Sequence, residues 1–169
     1  MSEIKNTTLH VGLDDHKAFV TVAHAEAGRS DPPVFVGPIG TRHADIDKLV
    51  RRLHSKAAHL VFAYEAGPCG YGLYRYLVAK GETCRVVAPS LTPKRSGQRV
   101  KTNRRDALEL ARLSRSGDLV DVWVPSVQER VLYMDMLFGP DRIVKRIRSK
   151  ALRIDTAFQI VFNYKGINL

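Results

Sequence analysis

Two acidic residues stand where a carboxylate without a task is unusual, and a third can join them. Asp14 closes the apolar stretch Thr8-Leu9-His10-Val11-Gly12-Leu13, and Glu65 closes His59-Leu60-Val61-Phe62-Ala63-Tyr64. Both stretches read as buried strands, so both acids emerge at strand ends rather than on a solvated helix face. Asp106 follows Asn103 by three residues at the start of a helical pattern, and that spacing puts the two on one helix face. Carboxylates gathered in one place repel and raise one another's pKa unless a cation neutralises them. Magnesium or manganese, with their preference for oxygen ligands, would do so. Two such ions about 4 Å apart suit phosphodiester cleavage: they activate a water on one side and stabilise the leaving oxygen on the other. Plainer uses exist for each acid. Asp14 and Asp15 can shape a turn, Glu65 can be an exposed strand end, and Asn103 with Asp106 can form a capping pair that complements the helix dipole. The strand-end placement of Asp14 and Glu65 is what favours the metal.

The residues around Asp106 are basic. From Lys94 to Arg115 the chain carries Lys94, Arg95, Arg99, Lys101, Arg104, Arg105, Arg112 and Arg115 against Asp106 and Glu109. The first six of these, at or before the start of a helix with its unpaired N–H groups, are candidates to grip a nucleic-acid backbone phosphate and deliver it to the neighbouring metal; a solvated loop and helix face is the alternative use. The whole chain points the same way, with 27 Lys and Arg against 17 Asp and Glu and a formal charge of +10. Such an excess faces water or a polyanion, most commonly nucleic acid. An anionic membrane is the rival partner, but no apolar run approaches the roughly 20 residues of a spanning helix, and Met1-Ser2-Glu3-Ile4-Lys5-Asn6 lacks a signal-peptide core. A soluble, cytoplasmic protein is expected.

Other reactive residue types form no recognisable pattern. Cys69 and Cys84 have neither a zinc-type spacing nor the density of a disulfide scaffold and read as buried small hydrophobes. The six histidines (His10, His16, His24, His43, His54 and His59) read as scattered surface residues. Gly67-Pro68-Cys69-Gly70-Tyr71-Gly72 matches neither a phosphate loop nor a dinucleotide fingerprint and reads as a turn. Tyr64, Tyr71, Tyr74 and Tyr76 are of a type that stacks on bases, with core and rim packing the plainer expectation.

The elements that position the acids follow from periodicity and breakers. Thr8 to Asp14 and Phe19 to Ala25 form a hairpin signal around the polar Asp15-His16-Lys17. Gly28 to Pro33 is a turn, and Val34 to Ile39 supplies a third strand. After Thr41, Ile46, Leu49, Val50 and Leu53 recur at helical spacing. His59 to Glu65 is a fourth strand, and a helix through Leu73, Tyr76, Leu77 and Val78 stops at Gly81. Cys84 to Ala88 is a fifth strand. A basic connection from Ser90 to Thr102 then leads to a helix over Asn103 to Ser116 whose apolar face is Ala107, Leu110, Ala111 and Leu113. The order βββαβαβα predicts an α/β domain with a mixed sheet, its first and fourth strands adjacent, and helices on its faces. Asp121-Val122-Trp123-Val124-Pro125 reads as a closing extended piece. From Asp141, the residues Ile143, Ile147, Ala151, Ile154, Phe158 and Val161 mark a basic amphipathic helix. The expected organisation is a domain over 1–125 and a basic helical tail over 126–169.

Three ordered motifs carry a resemblance: Val11-Gly12-Leu13-Asp14-Asp15-His16-Lys17, then Tyr64-Glu65-Ala66-Gly67, then Val100-Lys101-Thr102-Asn103-Arg104-Arg105-Asp106-Ala107. From about Leu9 to Arg130 the chain resembles the DEDD-type insertion-sequence transposases, the IS-one-ten group related to the Piv DNA invertase. The resemblance implies a ribonuclease-H-like (RuvC-like) N-terminal domain, binding of DNA and of Mg2+ or Mn2+, a structured bridge RNA that chooses the DNA, and dimers or tetramers. It puts the acidic tetrad on Asp14, Glu65, Asn103 and Asp106, with the metal on Asp14, Glu65 and Asp106. Asn103 departs from the usual Asp: its amide offers a carbonyl oxygen but no charge. The group also carries a C-terminal domain with a nucleophilic serine, and nothing after Arg130 is recognisable as that domain. The chain therefore reads as a truncated copy, expected to bind nucleic acid and metal but not to complete strand exchange alone. Two other readings stay open: a catalytically silent nucleic-acid-binding remnant, and a self-sufficient metal-dependent junction nuclease of the same fold.

Overall fold

The computed structural model describes residues 6–67, 69–92 and 102–126. Within them lie β1 (Thr8–Asp15), β2 (Val20–Glu26), β3 (Val34–Ile39), α1 (His43–His54), β4 (His59–Glu65), α2 (Gly72–Ala79), β5 (Thr83–Val87) and α3 (Asn103–Ser116). The five strands form one mixed sheet in the order β3-β2-β1-β4-β5. β1 to β3 make an antiparallel meander, while β1 and β4, and then β4 and β5, run parallel. This α/β arrangement is compatible with a ribonuclease-H-like fold, and the adjacency of the first and fourth strands is as the sequence predicts. The predicted tail over 126–169 lies outside the described residues, apart from Ser126.

The two faces of the sheet are built from different residues because side chains alternate along each strand. Leu9, Val11 and Leu13 of β1, Val20 and Val22 of β2, and Leu60, Phe62 and Tyr64 of β4 point to one face. There they pack with Ile46, Leu49 and Leu53 of α1 and Leu77 of α2. A side chain of this size fully withdrawn from water contributes about 1.5–3 kcal/mol, so this face holds most of the stability. Tyr64 and Tyr71, two of the tyrosines of base-stacking type, are fully buried here, and the Tyr64 hydroxyl donates to the Gly70 carbonyl at 3.1 Å.

The opposite face is made of small residues. Ala23 and Ala25 of β2 meet Ala107 and Ala111 of α3, and Ala63 of β4 meets Leu110 and Leu113. Gly12 is the closest point: a Cβ there would run into the Ala107 carbonyl oxygen and lie 2.5 Å from the Ala111 amide nitrogen. A glycine inside an apolar strand here marks a backbone-to-backbone approach.

The chain leaving α3 returns to the sheet. Gly117 ends the helix in the left-handed region at φ 80°, a conformation glycine adopts at no steric cost. The segment that follows pairs antiparallel with β5: Ala88 N–H donates to Val120 O at 3.1 Å and Val122 N–H donates to Val86 O at 2.7 Å. Arg85 clamps this strap from the strand side, through Nε to Asp121 Oδ1 at 2.7 Å and through a second guanidinium nitrogen to Leu119 O at 3.1 Å. The predicted closing piece thus covers what would otherwise be an open sheet edge.

Candidate functional site

Alternation along β1 puts Asp14 on the same face as Gly12, and alternation along β4 puts Glu65 on the same face as Ala63; this is the face covered by α3. The last registered pair of these parallel strands is Leu13 with Tyr64, so Asp14 and Glu65 are the next residue along each, at one end of the sheet. The course of α3 fixes where its first turn falls. Ala107 and Ala111 sit over Gly12, and Ser114 Oγ lies 3.0 Å from Nδ1 of His10, so the helix runs antiparallel to β1. Two strand residues from Gly12 to Asp14 advance about 6.6 Å, and one helical turn back from Ala107 to Asn103 covers about 6 Å. The first turn of α3, with Asn103 and Asp106 on its sheet-facing side, therefore stands over the end of the sheet that carries Asp14 and Glu65. All four residues are half-buried.

The local contacts of Asp14 are specific. His16 Nε2 lies 2.8 Å from Asp14 Oδ2, with 19% of the Asp14 side chain and 41% of the His16 side chain exposed. The turn after β1 is closed by His16 N–H donating to Phe19 O at 3.0 Å, and the Phe19 ring leans on the imidazole with centroids 5.1 Å apart. Asp15 points to the other side. Burial pushes its carboxyl up to about 6, against the opposing pull of a hydrogen bond from Cys69 and of His16. Burial, reinforced by the Asp15 charge, pushes the Cys69 thiol up to about 11, and burial pushes the Cys84 thiol up to about 12. Both thiols are poor nucleophiles at neutral pH, and both side chains are half-buried rather than fully buried as expected.

The start of α3 is held by Thr102, whose backbone is extended and whose Oγ1 accepts from Arg105 N–H at 3.4 Å. The cap is thus Thr102 and not Asn103, which leaves the Asn103 amide uncommitted to capping. Arg104 and Arg105 line an open groove together with Thr102 and Leu108. The Arg104 guanidinium sits over the Phe35 ring of β3, 4.9 Å from its centroid. Of the other predicted nucleic-acid contacts, Lys94, Arg95, Arg99 and Lys101 lie outside the described residues.

Among the described residues no three His, Cys, Asp or Glu side chains close into a group able to hold a metal ion. The donors suit a hard divalent cation in kind, being carboxylate and amide oxygens, and they lie toward one end of the sheet without closing into a ligand set. Sequence reasoning missed three contributors to this end of the molecule. His16 falls two residues beyond Asp14, past the end of β1, in a turn whose shape spacing alone does not fix. Gly12 was legible as a glycine interrupting an apolar strand. Phe35 gave no signal, since its contact with Arg104 depends on how β3 lies relative to α3. Among the described residues no helix is long and apolar enough to cross a membrane.

No protein-family profile matches the chain. It is 41% identical over 145 residues to a protein of Sinorhizobium fredii named as a transposase, y4qE, across 86% of this chain and 37% of that protein. It is also 29% identical over 173 residues to the transposase for insertion sequence element IS1533 of Leptospira borgpetersenii, across 95% of this chain and 50% of that protein. With 86% of the 169 residues aligned, the first similarity reaches past Arg130, beyond the span of the three motifs. The chain is therefore similar over most of its length to proteins named as transposases, and it spans half or less of the length of these two curated relatives.

Proposed function

We propose that this chain is the ribonuclease-H-like (RuvC-like) part of an insertion-sequence transposase of the DEDD type, acting on DNA with a divalent cation. The observation that supports the reading is that Asp14 and Glu65 lie at the same end of the parallel neighbours β1 and β4, on the face covered by the helix that bears Asp106. The similarity to two transposases supports the reaction class. Asp14, Glu65 and Asp106 would hold Mg2+ or Mn2+, with the Asn103 carbonyl oxygen beside them. When bound, such an ion activates water and stabilises a leaving oxygen. The chain's own part is to bind and orient DNA: Arg104 and Arg105 flank the first turn of α3, where a backbone phosphate meets both positive side chains and the helix N-terminus. Strand exchange would need the serine-bearing domain that the resemblance implies, and a bridge RNA and homo-oligomer assembly belong to the same proposal.

Calorimetric titration of manganese into the 169-residue chain and its Asp14→Ala variant tests the cation site. Heat from the first and none from the second is expected; equal behaviour of the two sinks it. DNA binding should weaken with salt, and Arg104→Ala with Arg105→Ala should flatten that dependence by about one released counterion per arginine.

A second reading rests on Asn103. With one acid replaced by an amide, the chain would be a nucleic-acid-binding module without cleavage. Metal-dependent nicking of DNA by the 169-residue chain, lost in Glu65→Gln, would exclude it.

A further inference from the structure

We infer that Arg104 and Arg115 are the two ends of a track along the flank of α3 beside β3 that takes the sugar-phosphate backbone of DNA, and that Phe35 positions Arg104 for it. The inference rests on the proposed action on DNA, names a surface for it, and needs no bound ion. Several arginines of the molecule are matched by acids: Arg42 lies against Asp45, Arg85 against Asp121 and Arg112 against Glu109. Arg104 and Arg115 are held differently. The Arg104 guanidinium rests on the Phe35 ring, 4.9 Å from its centroid, and Arg115 donates to the backbone carbonyl of Asp31 at 2.8 Å. Among the described residues neither forms an ion pair. A ring face and a carbonyl are neutral, so each guanidinium is fixed in place while its charge stays uncompensated. An arginine stacked on a ring still presents its N–H edge, and that edge is what pairs with a phosphate. Because the guanidinium occupies the ring face, phosphate contact is favoured over stacking of a base on Phe35.

The two arginines also share one line. Spaced by four and then by seven residues, Arg104, Leu108 and Arg115 fall on one flank of α3. That flank faces β3: Phe35 pairs in register with Ala23, which packs with Ala107 and Ala111, and Asp31 lies just before the strand begins. The Arg104 end opens into the groove lined by Thr102, Arg104, Arg105 and Leu108. At 1.5 Å of rise per helical residue the two ends stand about 16 Å apart, so one backbone strand meets both at phosphates a few nucleotides apart.

Binding of a labelled DNA duplex to the 169-residue chain is measured by fluorescence anisotropy over a range of salt, without divalent ions. Arg115→Gln keeps side-chain N–H donors for the Asp31 carbonyl and loses only the charge. It should lower the slope of log affinity against log salt by about 0.9, one released counterion. Arg52→Gln makes the same change at an exposed position of α1, on the other face of the sheet, and should leave the slope as it is. Phe35→Leu should weaken binding about 2–10-fold, the cost of ordering a long side chain that the wild type holds ready. Phe35→Tyr, which keeps a ring, should bind as the wild type does, and Phe35→Leu should add no further loss to Arg104→Ala. A slope in Arg115→Gln no lower than in Arg52→Gln overturns the track and leaves DNA binding standing. A loss in Phe35→Leu that persists without Arg104 means that the ring touches DNA itself, and overturns its positioning role. Absence of salt-dependent binding by the wild type overturns both the track and the action on DNA. Should Phe35→Leu fail to fold, Arg115→Gln against Arg52→Gln decides.

Discussion

The two faces of the sheet divide the work of the molecule. Under α1 and α2 the sheet presents Phe62, Tyr64, Leu13 and Val11, large side chains that are essentially inaccessible to water. Under α3 it presents Gly12, Ala23, Ala25 and Ala63, which bury little area each. A helix resting on large side chains is held firmly, but its backbone stands well off the sheet. One resting on glycine and alanine approaches closely, and its first turn is fixed by backbone contact. The difference teaches that stability and placement come from opposite sides of one sheet: the large-residue face keeps the strands together, and the small-residue face sets where Asn103 and Asp106 stand relative to Asp14 and Glu65.

Substitutions on the two faces should therefore fail differently. Phe62→Ala removes a fully buried ring from the large-residue face and should cost about 3–5 kcal/mol in urea denaturation, the largest single effect expected here. Its hydrogen-exchange signature should be a loss of protection shared by the strands and all three helices. Gly12→Ala should cost about 1–3 kcal/mol, because the atoms in its way are backbone and cannot rotate aside. Its signature should be concentrated in α3, which has to lift from β1 to admit the methyl. Unchanged stability in Gly12→Ala, or a loss spread evenly over the whole sheet, would break the division between the faces.

Much of this architecture was legible in the residues. The bounds of β4 and α3 follow from the change of apolar period from two to three and four, punctuated by Gly67, Gly81 and Gly117, and both elements span the predicted residues. The adjacency of β1 and β4 was legible as well, since a hairpin-led meander joined to crossovers leaves few other orders. The capping of α3 was not. Thr102 and Asn103 are both good caps, and only the extended backbone at Thr102 decides between them. The contact between His16 and Asp14 depends on the shape of a short turn, which spacing alone does not fix. The histidines show both outcomes. His16 and His43 lie toward solvent, whereas His24 is 8% exposed, against the expectation of scattered surface residues. The alternation Val20, Val22, His24 already put it on the buried face, but the habit of reading histidine as polar hid that signal.

Two histidines, one on each face, sharpen the comparison at a finer scale. His10 lies on the α3 side with Ser114 Oγ 3.0 Å from its Nδ1. His24 lies on the α1 side, and neither of its ring nitrogens has a hydrogen-bond partner among the described residues. Burial, helped by Lys56 and Arg52 against the opposing Glu26, holds the His24 pKa below its ordinary 6.5. Burial, then Arg85 and Arg115, does the same for His10. With both pKa values lowered, the unfolded chain binds more protons than the folded one as pH falls below about 6.5, so stability present at neutral pH is lost in acid. His24→Leu keeps a similar volume and removes both unpartnered nitrogens. It should gain about 1 kcal/mol at pH 7.5 by relieving buried polar groups of their lost hydration. Its stability should also fall less steeply between pH 6.5 and 5, by up to about 1.4 kcal/mol per pH unit, the slope of one proton. His10 is expected to respond in the opposite sense at neutral pH, because replacing its partner in Ser114→Ala strands Nδ1 against α3 and should cost about 1 kcal/mol. Denaturation curves of these two variants at pH 7.5 and pH 5 decide the matter. If His24→Leu is destabilising at pH 7.5 and as acid-sensitive as the wild type, the ring nitrogens are solvated in the folded chain and the large-residue face is less dry than its packing implies.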